Sequence, residues 1–170
     1  PFCSSTVVTL PYSESFETGS NGWNSGGANA LRVNNAAYAY DNSYSLNIRS
    51  TSGSASAFCS PLMDLTAYDK VDFKFFFYAE GFELDETFTV QYSDNDGASW
   101  QVVRTFKAGD TAPANKSGDF QQGTSSTDFY VRNIGLLSTD YNFSANSRFR
   151  IESNASDTGD NIYIDNISIK

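Results

Sequence analysis

The stretch Val71-Asp72-Phe73-Lys74-Phe75-Phe76-Phe77-Tyr78 carries an apolar residue at every second position. In an extended strand successive side chains point to opposite faces. The pattern therefore sets Val71, Phe73, Phe75 and Phe77 on one face and Lys74, Phe76 and Tyr78 on the other. Phe88-Thr89-Val90-Gln91-Tyr92 and Arg148-Phe149-Arg150-Ile151-Glu152 alternate in the same way. Further strands are expected over 30–34, 45–49, 101–107, 129–134 and 161–169, each bounded by clusters of Gly, Asn, Asp or Ser that read as turns. Residues 62–68 have room for one helical turn, and no long amphipathic helix is patterned anywhere. Short strands with one buried face, joined by polar turns, predict an all-β fold, a two-sheet antiparallel β-sandwich of the jelly-roll kind. No break in composition divides the chain, so one domain is expected over residues 1–170. The polar stretch 108–128, with Pro113, Gly118 and Gly123, reads as a long surface loop.

The chemistry available is narrow. A net charge of −9 argues against nucleic acid or anionic lipid as partner, because phosphate binding needs a basic surface. No run of apolar residues is long enough for a membrane-inserted helix. The chain has no His, so the commonest general base and the usual partner of a serine nucleophile are both missing. No phosphate-binding glycine loop, nucleophile elbow or zinc-ligand cluster is present. A binding role is expected rather than catalysis. Cys3 and Cys59 are the only cysteines, and in an oxidising compartment they would close one disulfide worth about 4 kcal/mol. With few charges and many hydroxyl and amide side chains the chain reads as secreted, and with Pro1 in first place as a mature fragment or a module cut from something longer.

Ser93-Asp94-Asn95-Asp96-Gly97-Ala98-Ser99-Trp100 resembles the Asp-box, a β-hairpin turn of secreted β proteins. Carboxylates are expected to bond the turn amides, Gly97 to take positive φ, and Trp100 to pack back on the hairpin.

The two ends carry a wider resemblance. Ser15-Phe16-Glu17 with Gly22-Trp23 opens the chain, and Ala39-Tyr40-Asp41-Asn42-Ser43-Tyr44-Ser45-Leu46 leads into a strand. Ile162-Tyr163-Ile164-Asp165-Asn166-Ile167-Ser168-Ile169 closes it. This order resembles the jelly-roll carbohydrate-binding modules of secreted bacterial polysaccharide-degrading enzymes, and also the MAM-like domains of adhesion proteins and proteases. The resemblance implies a polysaccharide-binding module tethered to a catalytic domain, with an adhesion or protein-interaction domain as the alternative. It also implies that the first and last strands lie side by side with a structural Ca2+ at their ends, held by Glu17, Asp41, Ser43 and Asp165. The hard-oxygen ligand set suits that ion. An Asp inside an otherwise apolar closing strand needs some such partner, because an unpaired buried carboxylate is costly.

For the ligand face, alternation nominates Lys74, Phe76, Tyr78, Gln91, Tyr130, Arg132, Arg148 and Arg150 as outward residues. Flat rings stack on the C–H faces of sugars while forked side chains pair with hydroxyls. Three arginines on an acidic protein point to a uronate or sulfated glycan, since Arg pairs bidentately with such groups. Trp23 and Tyr40 form a second candidate, with Trp23 expected to seal the core.

Overall fold

The computed structural model describes residues 2–110, 118–123 and 129–170. Two six-stranded sheets pack face to face. The first runs β11 (Phe120–Gln121), β10 (Gln101–Gly109), β9 (Thr87–Ser93), β13 (Arg148–Asn154), β6 (Ala57–Cys59) and β3 (Asn24–Ser25). The second runs β12 (Tyr130–Leu137), β8 (Lys70–Glu80), β14 (Asn161–Ile169), β5 (Tyr44–Arg49) and β4 (Ala30–Asn34), with β2 (Tyr12–Glu14) paired to β14. A short pair, β1 (Val7–Val8) with β7 (Leu62–Met63), sits apart. Pairing is antiparallel apart from β1 with β7 and β10 with β11. Each strand that alternation nominates is present, and the sheets are those of a β-sandwich. The segment after β7 makes a turn closed by Tyr68 N–H on the Leu65 carbonyl, not a helix.

The parity read for β8 holds along its length. Val71, Phe73, Phe75, Phe77 and Ala79 are buried, while Asp72, Lys74, Phe76, Tyr78 and Glu80 face away from the core. The buried rings meet Phe88, Phe106 and Phe149 of the opposite sheet, in contacts such as Phe75 to Phe106 at 5.7 Å and Phe73 to Phe149 at 4.7 Å. Aromatic pairs of this kind add about 1 kcal/mol each beyond area burial. Trp23 is part of this core, as expected. Phe120 is also core, so stretch 108–128 is not simply a surface loop; residues 111–117 and 124–128 of that stretch lie outside the described residues.

Cys3 and Cys59 are bonded as expected. The Asp-box-like hairpin sits beside that bond, and its chemistry differs from the expectation in one respect. The turn amides are bonded by the Ser93 hydroxyl, which accepts from Gly97 N–H at 2.9 Å, and by the Asn95 amide oxygen, which accepts from Ser99 N–H at 2.9 Å. The carboxylates look outward instead: Asp94 accepts from Asn142 and Asp96 pairs with Arg148. Gly97 has φ +82°, and a Cβ there would lie 3.1 Å from Trp100 and 3.3 Å from the Cys3 sulfur, so the position needs glycine.

Candidate functional site

The outward face of the second sheet gathers six aromatic rings. Phe76 and Tyr78 come from β8 and Tyr163 from the opposed position of β14, because Tyr163 pairs with Tyr78 and Asp165 with Phe76. Tyr38 and Tyr40 arrive from the segment before β5, and Phe129 from just before β12. Tyr38 ends a single 3-10 turn over Ala36–Tyr38, whose N-cap Asn35 accepts from Ala37 N–H. Tyr40 stacks on Phe76 with centroids 3.8 Å apart, and Phe129 approaches both Tyr40 at 5.6 Å and Tyr78 at 5.5 Å. Tyr40 is 49% exposed, whereas Phe76 and Tyr78 form a half-buried floor beneath the other rings.

Polar groups border the strip at both ends. At one end Glu80 accepts from the Tyr38 hydroxyl at 3.1 Å and from the Tyr163 hydroxyl at 3.5 Å. The bond to Glu80 raises the Tyr38 pKa, and burial, with Glu80 next, raises that of Tyr163. Asn47 donates to Asn161 there at 2.9 Å. Arg49 shares this end of the sheet, on β5 opposite Asn161, and its Nε is buried without a hydrogen-bond partner among the described residues. At the other end Lys74 Nζ lies 5.2 Å from the Phe76 ring centre, over a cleft of about 440 Å³ lined also by Glu14, Thr18, Asn21 and Asn166.

Of the eight residues nominated for the ligand face, Lys74, Phe76 and Tyr78 lie here. The other five do not. Gln91, Arg148 and Arg150 sit on the first sheet, on the far side of the sandwich. Arg148 is buried, donating to Asp96 at 2.5 Å, to the Ser60 carbonyl at 2.8 Å and to the Ser4 carbonyl at 2.7 Å. Gln91, 5% exposed, accepts from Arg150 and donates to Thr89, while Arg150 also pairs with Glu152 at 3.1 Å and lies 4.6 Å over Trp100. Tyr130 and Arg132 belong to the second sheet, yet they register with Phe77 and Phe75 and so share the core face. Tyr130 stacks on Phe77 at 5.0 Å, and Arg132 reaches over both rings to the Asp119 carbonyl. Parity fixes which residues share a face but not which sheet they join, and an edge strand admits a long cation on its inner side.

Tyr38, Phe129, Tyr163 and Glu80 were not nominated. Tyr163 was readable, since Ile162 and Ile164 bracket it on the core face. Tyr38 lies outside the strands, where alternation carries no signal, and Phe129, first in the strand expected over 129–134, takes the parity opposite to the one nominated through Tyr130.

The four residues nominated as Ca2+ ligands meet at one turn. Asp165, with 0% exposure, accepts from Tyr40 N–H at 2.8 Å and Asp41 N–H at 3.0 Å through one oxygen, and from Asn166 N–H at 2.7 Å through the other. Glu17 accepts from Tyr44 N–H at 2.8 Å and Ser43 N–H at 3.2 Å. Burial raises the pKa of Asp165 to about 6, against the opposing pull of those amides and with help from the Glu17 charge. Asp41 is exposed. Among the described residues no three acidic, His or Cys side chains form a group that could hold a metal.

Comparison with solved structures identifies the architecture. The CBM22-1 xylan-binding domain of Paenibacillus barcinonensis Xyn10C superposes with a TM-score of 0.57 at 16% identity, covering 94% of this chain and 92% of that one. The chain has a jelly-roll fold of the carbohydrate-binding-module type. The K2 cleaved adhesin domain of Lys-gingipain shares it, with a TM-score of 0.55 at 15% identity over 95% of this chain and 99% of the other. It recurs in the CBM22-1–GH10 modules of Clostridium thermocellum Xyn10B complexed with xylohexaose, with a TM-score of 0.57 at 14% identity over 94% of this chain and 28% of that one. No protein-family model matches the chain. No curated protein matches it either.

Proposed function

We propose that the chain is a non-catalytic module that binds a linear polysaccharide across the outward face of β4, β5, β14, β8 and β12. The observation that carries this reading is the strip of Tyr38, Tyr40, Phe76, Tyr78, Phe129 and Tyr163 on a sheet face turned away from the core. Rings that the core does not need, bordered by Glu80, Asn161, Lys74 and Glu14, suit a ligand with apolar C–H faces and many hydroxyls. From Lys74 to Glu80 the strand extends about 20 Å, which favours an oligomer over a single sugar. The xylan-binding neighbour of the same fold supports the ligand class.

The ligand is a neutral glycan in this reading. The case for a uronate or sulfated chain rested on Arg132, Arg148 and Arg150, and all three bond to other parts of the protein away from the strip. Lys74 and Arg49 border it alongside the carboxylates of Glu14 and Glu80, so the border carries as many negative as positive charges. Secretion, and tethering to a catalytic domain, complete the reading. The disulfide supports the first, and the fused GH10 neighbour supports the second. Such a tether holds an enzyme near its substrate by raising effective concentration. A Ca2+ ion at Glu17 and Asp165, completed by Asp41 and the oxygens around Ser43, belongs to the same proposal. Two carboxylates that reach one turn from separate segments support it.

Affinity electrophoresis through gels cast with neutral, uronate-rich and sulfated polysaccharides tests it. Retardation by a neutral glycan, lost in Tyr40→Ala, is the expected result. Retardation by the charged gels alone overturns the neutral assignment. Free passage through all of them, from folded protein, overturns glycan binding in favour of an adhesion role.

A further inference from the structure

Strand β14 touches the segment that carries the two overlying rings twice, at matched spacing. Tyr163 lies under Tyr38, with ring centroids 4.2 Å apart and planes 8° from parallel. Two residues further along β14, Asp165 takes the amide of Tyr40, two residues further along that segment. Glu17 holds the far side of the same turn through Ser43 and Tyr44. The Tyr40 ring is therefore fixed from two directions, by Phe76 beneath it and by the backbone that Asp165 grips behind it. Asp165 is fully buried and cannot itself touch a glycan laid on the face.

Resting on the reading of this face as the glycan surface, we propose that Asp165 is a positioning residue for that surface and acts through Tyr40. A carboxyl or carboxamide oxygen at this position keeps the 40–41 amides bonded, and so keeps the Tyr40 ring on Phe76. Without an acceptor those amides have to find other partners, and the turn that presents Tyr40 shifts.

Isothermal titration with xylohexaose and cellohexaose, all in chelator so that no metal contributes, provides the test. Asp165→Ala should raise the Kd about tenfold, the worth of roughly one aromatic contact. Asp165→Asn retains a carbonyl acceptor and should stay within about twofold of wild type. In a Tyr40→Ala background, Asp165→Ala should produce no further loss. Should Asp165→Ala not fold, Asp165→Ser, whose hydroxyl is too short to reach both amides, takes its place with the same expectations. Wild-type affinity in the folded Ala or Ser variant, or an effect undiminished by Tyr40→Ala, overturns the positioning role. Binding that Tyr40→Ala leaves untouched overturns the surface reading instead. A wild type that binds neither hexaose, in chelator or with Ca2+ restored, removes both.

Discussion

Tyr38 lies flat on Tyr163, and the hydroxyls of the two rings converge on the single carboxylate of Glu80. The pair is both a stacked platform and a coupled polar group at one end of the sheet face. A negative charge beside a phenol disfavours the phenolate, so Glu80 holds both tyrosines against ionisation. Glu80→Gln should therefore lower the pKa of both. Alkaline titration followed by tyrosinate absorbance checks this, and an unchanged profile would mean the three groups do not meet in solution.

Arg148 and Arg150 should matter for stability and not for binding. Arg148→Ala strands the Ser4 and Ser60 carbonyls and the Asp96 carboxylate, at a cost of about 3 kcal/mol. Arg150→Ala takes its partner from the buried Gln91 amide oxygen and from the largely buried Glu152 carboxylate, and should cost about 2 kcal/mol. Thermal melts should resolve both losses, while glycan retardation of the folded variants stays at the wild-type value.

The buried carboxyl of Asp165 gives the fold a pH dependence of definite sign. Its pKa of about 6 lies above the unfolded value, so the protonated form is the one the fold favours. The stabilisation is fully present below about pH 4 and is lost as pH rises through 6, amounting to at most about 3 kcal/mol. In chelator, the melting temperature of Asp165→Asn should therefore gain on wild type as pH rises from 4 to 7. Added Ca2+ at pH 7 should raise the wild type and leave the variant unmoved. A difference between the two proteins that ignores pH would contradict the assignment.

The Cys3–Cys59 bond spans 56 residues. Closing a loop of that length is worth about 4 kcal/mol. Reduction, or Cys3→Ser with Cys59→Ser, should lower stability by that order in denaturant melts. A shift below about 1 kcal/mol would mean the unfolded chain is already constrained without the bond.

The sandwich was legible because burial on one face writes itself as alternation, and β8 is the clearest instance. Phe73, Phe75 and Phe77 are core for the reason that Phe76 and Tyr78 are not. Half of the candidate site could be read the same way, including Tyr163 between two core isoleucines. The assignment of Arg148, Arg150 and Gln91 to that site failed because alternation is blind to which sheet a strand joins. Tyr130 and Arg132 failed for a different reason, since their facing is decided by register against Phe77 and Phe75. Tyr38 and Tyr40 reach the face through a short turn whose path depends on Asp165 and Glu17, residues far away in sequence.

Strand β14 separates β5 from β8 and follows both in the chain. During synthesis those two strands emerge without the neighbour that will join them, and the outward rings of β8 have no platform to build. Everything that makes the face recognisable waits for one nine-residue strand: Tyr163 beneath Tyr38, Asp165 behind Tyr40, and the continuity of the sheet itself. Assembly is then a single late event built on distant contacts, slow by the measure of chain topology. A nascent or shortened chain lacking that strand would present sticky, half-formed edges and no partial ability to bind.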